Sequence, residues 1–109
     1  SEISWNFINN VEVSLDTIFV PGTDYLSLLS HYCSAEVLKK DISEKNWIME
    51  GTAPKAVNYK IWHFSKNGLV IVFDTYQVAA YVYGPQSIEI PLSVISKHLK
   101  PEVVNAVWG

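Results

Sequence analysis

Asp74 and Glu89 flank an aromatic stretch, Thr75-Tyr76-Gln77-Val78-Ala79-Ala80-Tyr81-Val82-Tyr83-Gly84-Pro85-Gln86. Two carboxylates near strand ends are the residue types that hydrolyse glycosides, one as acid and one as base or nucleophile, when their separation suits the reaction. Carboxylates in such positions more often cap turns, and Asp74 is placed to accept hydrogen bonds from a Thr75-Tyr76 turn. The pair is therefore a test of geometry. A small wall hydrolase requires both groups in one open cleft, with one carboxyl pushed up in pKa.

The other reactive residue types are scattered. His31, His63 and His98 fall in three different segments, with no His-x-His or His-Glu-x-x-His spacing to converge on a metal. Cys33 is the single cysteine and lies in an apolar helical stripe, where a small buried residue is the ordinary reading. It excludes an intrachain disulfide and leaves the redox compartment open. No Gly-x-Ser-x-Gly elbow occurs, and neither Gly51-Thr52-Ala53-Pro54 nor Gly84-Pro85 forms a phosphate-cradling loop. The sequence names no catalytic residue, no metal ligand and no cofactor.

Aromatics are the remaining candidates. Trp47, Tyr59, Trp62, Tyr76, Tyr81 and Tyr83 gather in the second half. Such rings fill cores and edges, and when exposed they stack on sugars or anchor protein partners. Tyr81 and Tyr83 alternate with small Ala80 and Val82 beside Gly84, which favours exposure. The candidate contact surface is thus Tyr76, Tyr81, Tyr83 and Gln86, with Trp47 and Trp62 as neighbours.

The elements that must hold this surface can be read from periodicity. Ile3, Trp5 and Phe7 alternate with polar residues as a short strand with one buried face, followed by a turn at Asn9-Asn10 and further alternation at Val11, Val13 and Leu15. Leu15 to Phe19 also reads as a helical turn capped by Ser14. After Pro21-Gly22, Thr23 is the expected N-cap of a helix of about five turns. Its stripes are Leu26, Leu29, Cys33, Val37 and Leu28, Tyr32, Ala35, Ile42, with Lys39 and Lys40 at the C-terminal end.

Asn46 to Pro54 reads as a loop anchored by Trp47 and Ile48. A strand is expected from about Val57, with a hairpin at Asn67-Gly68. Leu69 to Phe73 is apolar on both faces, as a central strand is. Ile88 and Ile90 mark a third strand, Pro91 opens a short helix from Leu92 to Leu99, and Val103, Val104, Val107 and Trp108 form a last amphipathic turn. The expected fold is α+β: an antiparallel three- to four-stranded sheet with one long helix packed on a face and a short C-terminal helix.

Composition sets the bounds. The 109 residues are one domain's worth and 49% apolar, with 13% aromatic and 17% charged, enough for a core without metal or disulfide staples. The eight basic residues are all lysine and the net charge is −3. Without arginine or a basic cluster, nucleic-acid binding is excluded as a reading. No apolar run reaches the roughly 18 residues that span a bilayer. A start without methionine reads as an excised domain or mature fragment, with any membrane attachment made through a segment outside it.

Residues 15–99 resemble the C-terminal domain of RsiV-type anti-sigma factors and PdaC-type peptidoglycan deacetylases. The matching pieces are Ser14-Leu15-Asp16-Thr17-Ile18-Phe19-Val20-Pro21-Gly22, Asn58-Tyr59 with Trp62-His63-Phe64, the block Gly68 to Ala79, and Gly84 followed by Ile88-Glu89-Ile90-Pro91-Leu92. The resemblance implies an extracytoplasmic setting, in the periplasm or on the cell surface, lipid-anchored in the full-length protein. In the anti-sigma factors the domain is a lysozyme receptor; in the deacetylases it accompanies a separate catalytic domain whose motifs are absent here.

These readings converge on a non-enzymatic extracytoplasmic binding domain whose ligand is a peptidoglycan fragment or a wall-directed protein such as lysozyme. The alternatives are a small wall hydrolase using Asp74 and Glu89, and an accessory module of a larger lipoprotein or deacetylase.

Overall fold

A computed structural model describes residues 6–109, so Ile3 and Trp5 of the expected first strand lie outside the described residues. Two short strands come first, β1 (Phe7–Ile8) and β2 (Val11–Glu12), paired antiparallel. Asn9 and Asn10 both have positive φ, 52° and 66°, the geometry of a two-residue hairpin turn. The buried face expected at Phe7 does not form, because its ring is 40% exposed. Alternation also ends early: Leu15 leaves the hairpin and starts a 3-10 turn, Leu15–Ile18, that buries Leu15 and Ile18.

Helix α1 spans Tyr25–Lys39. Its N-cap is Asp24 rather than Thr23: the Asp24 carboxylate accepts from Ser27 N–H at 3.2 Å and from the Ser27 hydroxyl at 2.8 Å. The helix is shorter than the expected five turns because Asp41 takes a left-handed φ of 55° just past its end. Leu29, Cys33 and Val37 are buried, as the first stripe required, whereas Ala35 of the second faces solvent.

The expected loop at 46–54 is largely helical instead, α2 (Lys45–Gly51). Ile48 is fully buried and holds it on the core. A 3-10 turn follows at Ala56–Tyr59, so the strand expected from Val57 starts later, at Ile61. The Asn58 side chain enforces the turn by donating to the carbonyls of Glu50 and Ala53, each at 3.1 Å.

Among the described residues the main sheet has three antiparallel strands, β3 (Ile61–Ser65), β4 (Gly68–Phe73) and β5 (Gln86–Pro91), with β4 central. The register aligns Trp62, Ile71 and Ile88 in one row and Phe64, Leu69 and Ile90 in the next. These rows and Phe73 form the buried face, which packs with α1 and α2 residues in one core cluster. Fully burying each such side chain contributes about 1.5–3 kcal/mol.

Ser65 pairs with Gly68, so Lys66-Asn67 forms the hairpin tip and Gly68 already belongs to β4. Glycine is needed there for a different reason: a Cβ would run into the Ile90 carbonyl of β5.

Beyond β5, α3 (Leu92–Ile95) gives way to a 3-10 turn at Ser96–His98, and α4 (Pro101–Trp108) closes the chain. An antiparallel bridge between Phe19 and Leu99 ties this end to the segment before α1; Val20 N–H donates to the His98 carbonyl at 2.9 Å and Lys100 N–H to the Ile18 carbonyl at 3.0 Å. The architecture is α+β, as expected, with a separate small hairpin beside the three-stranded sheet.

Candidate functional site

The β4–β5 connection leaves the sheet at Asp74 and returns at Gln86. Its first turn is held by several independent bonds. Thr75 N–H donates to Asp74 Oδ1 at 2.9 Å, and Gln77 N–H to the Asp74 carbonyl at 2.9 Å. The Gln77 side chain then joins three segments: Oε1 accepts from Asp74 N–H at 3.1 Å, while Nε2 donates to the carbonyls of Gly51 (3.0 Å) and Asn58 (2.9 Å). Gly51 permits this approach, since a Cβ there would collide with the Gln77 carbonyl oxygen.

Tyr76 sits at the apex with φ of 74°, a left-handed conformation that a large L-residue seldom adopts. Its carbonyl accepts from Trp47 Nε1–H at 3.0 Å. Strain of this kind persists where surrounding contacts over-determine the backbone. Val78 and Ala79 then dive into the core, and the chain re-emerges as a 3-10 turn, Tyr81–Tyr83.

The result is an exposed aromatic rim. Tyr76 is 61% exposed, Tyr81 68%, Val82 83% and Tyr83 47%. The Tyr76 and Tyr81 rings lie 5.6 Å apart at 36°. The structure thus brings together Tyr76, Tyr81 and Tyr83, with Trp47 half-buried behind the first.

Gln86 has a bracing position: Oε1 accepts from Lys40 Nζ at 2.7 Å and Nε2 donates to the Tyr83 carbonyl at 2.9 Å. Trp62 does not join the surface. It is only 8% exposed, on the inner face of the sheet and edge-on to Phe64 at 5.2 Å, because its position in β3 alternates inward with Phe64.

Asp74 and Glu89 do not form a pair. Glu89 is opposite Val70 in the sheet, four residues before Asp74, which separates the two positions by about 13 Å along the strand. Each carboxylate has a structural partner, Asp74 the Thr75 amide and Glu89 the Ser65 hydroxyl at 2.7 Å. Among the described residues, no three His, Cys, Asp or Glu side chains gather as metal ligands. Cys33 is fully buried, and burial, followed by the nearby Glu36 charge, pushes its thiol up to about 12, far from a nucleophile's range.

Sequence reasoning missed Gln77 and Lys40 as organisers. Neither has a motif, since their partners in other segments lie 19 to 47 residues away. It also missed a groove of about 560 Å³ whose lining includes Glu12, Asp16, Tyr25, Tyr59, Lys60 and Trp62, and an apolar one of about 800 Å³ between Leu92, Leu99, Val104 and Trp108.

Comparison with known proteins decides the family. Residues 16–93 match the family described as "Protein of unknown function (DUF3298)". The chain belongs to the DUF3298 family. This DUF3298 chain is 36% identical over 104 residues to peptidoglycan-N-acetylmuramic acid deacetylase PdaC of Bacillus subtilis (strain 168). The match covers 94% of the chain and 22% of the deacetylase, so the chain spans about a fifth of that relative's length.

A crystal structure of a DUF3298 member from Bacteroides fragilis NCTC 9343 superposes with a TM-score of 0.62 at 19% identity, covering 91% of this chain and 40% of that one. That likeness shows the fold. Among the described residues no helix is long and apolar enough to cross a membrane.

Proposed function

We propose that this DUF3298 domain is a non-enzymatic binding module of the bacterial cell envelope, working outside the cytoplasm, and that its rim of Tyr76, Tyr81, Val82 and Tyr83 contacts peptidoglycan fragments. The observation that carries the reading is the exposed aromatic rim on a braced turn. Large apolar side chains this exposed, on a backbone held against its own preference, suit ligand contact better than packing. Flat aromatic faces stack on the apolar faces of sugar rings. The substrate in the relative's name, a peptidoglycan amino sugar, supports the same ligand class. The separation of Asp74 from Glu89 removes the carboxylate pair on which the hydrolase alternative rested.

Calorimetric titration with muropeptides and, separately, with lysozyme tests the reading. Saturable muropeptide binding is expected, weakened at least tenfold by Tyr81→Ala while stability stays within about 0.5 kcal/mol. Binding of lysozyme alone replaces the glycan with a wall-directed protein, a partner that the net charge of −3 favours weakly. Binding of neither overturns the proposal.

A further inference from the structure

The groove of about 560 Å³ has no lining residue in common with the tyrosine rim. One side comes from β2 and the following 3-10 turn, with Glu12 and Asp16; Tyr25 begins α1; Tyr59 and Lys60 come from the approach to β3 and Trp62 from β3 itself.

Its aromatic parts are fixed. Tyr25 stacks on Phe19 at 5.1 Å and 17°, and Trp62 is held edge-on to Phe64. The Tyr59 hydroxyl is already engaged, donating to the Thr52 carbonyl at 2.6 Å, so Tyr59 offers the groove only its ring.

The charged groups are different. Glu12, Asp16 and Lys60 line one groove, yet among the described residues none of their side chains makes an ion pair or hydrogen bond. Among the described residues Lys60 forms no ion pair with either carboxylate. The Asp16 charge is felt inside the groove, where it reinforces burial in raising the Tyr25 phenol. Carboxylates only accept and an ammonium only donates, so a ligand complementary to this lining carries a cation for the carboxylates, an anion for Lys60 and an apolar body.

We propose that this groove binds a short free peptide in zwitterionic form, its ammonium on Glu12 and Asp16, its carboxylate on Lys60 and its body against Tyr25 and Trp62. The volume lies within the range of small-ligand pockets. The site is distinct from the rim and stands or falls independently of it.

The test is NMR titration of the 109-residue chain with trialanine, N-acetyl-trialanine and trialanine amide, following the Tyr25 and Trp62 signals. Trialanine is expected to give saturable shifts there, and blocking either end to weaken binding at least tenfold. The Glu12→Gln/Asp16→Asn double variant should lose discrimination against the N-acetylated peptide, and Lys60→Met discrimination against the amide. All three side chains are exposed, and signal dispersion checks that each variant folds. Equal binding of free and blocked peptides, or no saturable shift at these residues, overturns the proposal.

Discussion

The indole N–H of Trp47, on α2, donates to the backbone carbonyl of Tyr76, the residue at φ 74° on the β4–β5 turn, across 3.0 Å. One bond thus links the short helix to the apex of the aromatic rim. The rim's shape depends on an element 29 residues earlier in the chain.

Trp47→Phe keeps an aromatic ring and removes the donor. A loss of about 1 kcal/mol is expected, the usual size of a single hydrogen bond. Urea denaturation measures the loss, and faster amide exchange at Gln77 should accompany it.

Tyr76→Gly should be more stable than Tyr76→Ala by about 1 kcal/mol. In an ordinary helix or strand position that order is reversed, but glycine carries no penalty in the left-handed region and alanine does. Both variants lose the ring and its contact with Tyr81, so their difference isolates backbone strain. Equal stabilities in thermal melts would refute strain at Tyr76.

Gly51→Ala places a methyl against the Gln77 carbonyl. Backbone has little room to yield, so α2 must move away from the turn. The expected destabilisation is about 1–3 kcal/mol, the range for overpacked interiors. Because the Gln77 side chain also bonds the Gly51 carbonyl, the shift should reach the rim and weaken the muropeptide binding proposed for it, as read by calorimetry.

Alkaline pH should unfold the domain through Cys33 and Tyr59. Burial raises both acids in the folded state, Cys33 from 9.0 to about 12 and Tyr59 above its ordinary 10.0. Above the unfolded values the unfolded chain has released protons that the folded chain retains, so stability falls as pH rises. The contribution of Cys33 is complete below pH 9 and is lost progressively between about 9 and 12, at up to about 1.4 kcal/mol per pH unit. Tyr59 steepens the decline above pH 10. Denaturant midpoints measured across this interval check the sign, and Cys33→Ala should flatten its lower part.

Local patterns determined much of this protein. Alternation and β-branched residues specified three strands, and a run apolar on both faces placed Leu69–Phe73 at the centre. The stripe Leu29, Cys33 and Val37 specified the inner face of the long helix. The ordered series from Leu15 to Leu99 carried the family resemblance, and Tyr81 and Tyr83 were readable as exposed.

Tertiary structure alone decided how those parts make a site. Trp62 lies in the same aromatic cluster as Trp47 in the sequence, but sheet register turns it inward while Trp47 meets Tyr76. The left-handed Tyr76 has no glycine or asparagine to announce it; bonds from Trp47 and Gln77, made across the fold, impose it. Asp74 and Glu89 were candidates until the β4–β5 register set them about four residues apart. Periodicity reports which face a residue shows to its own element. Distances between residues far apart in the chain arise only when the elements pack, and those distances are what define a binding surface.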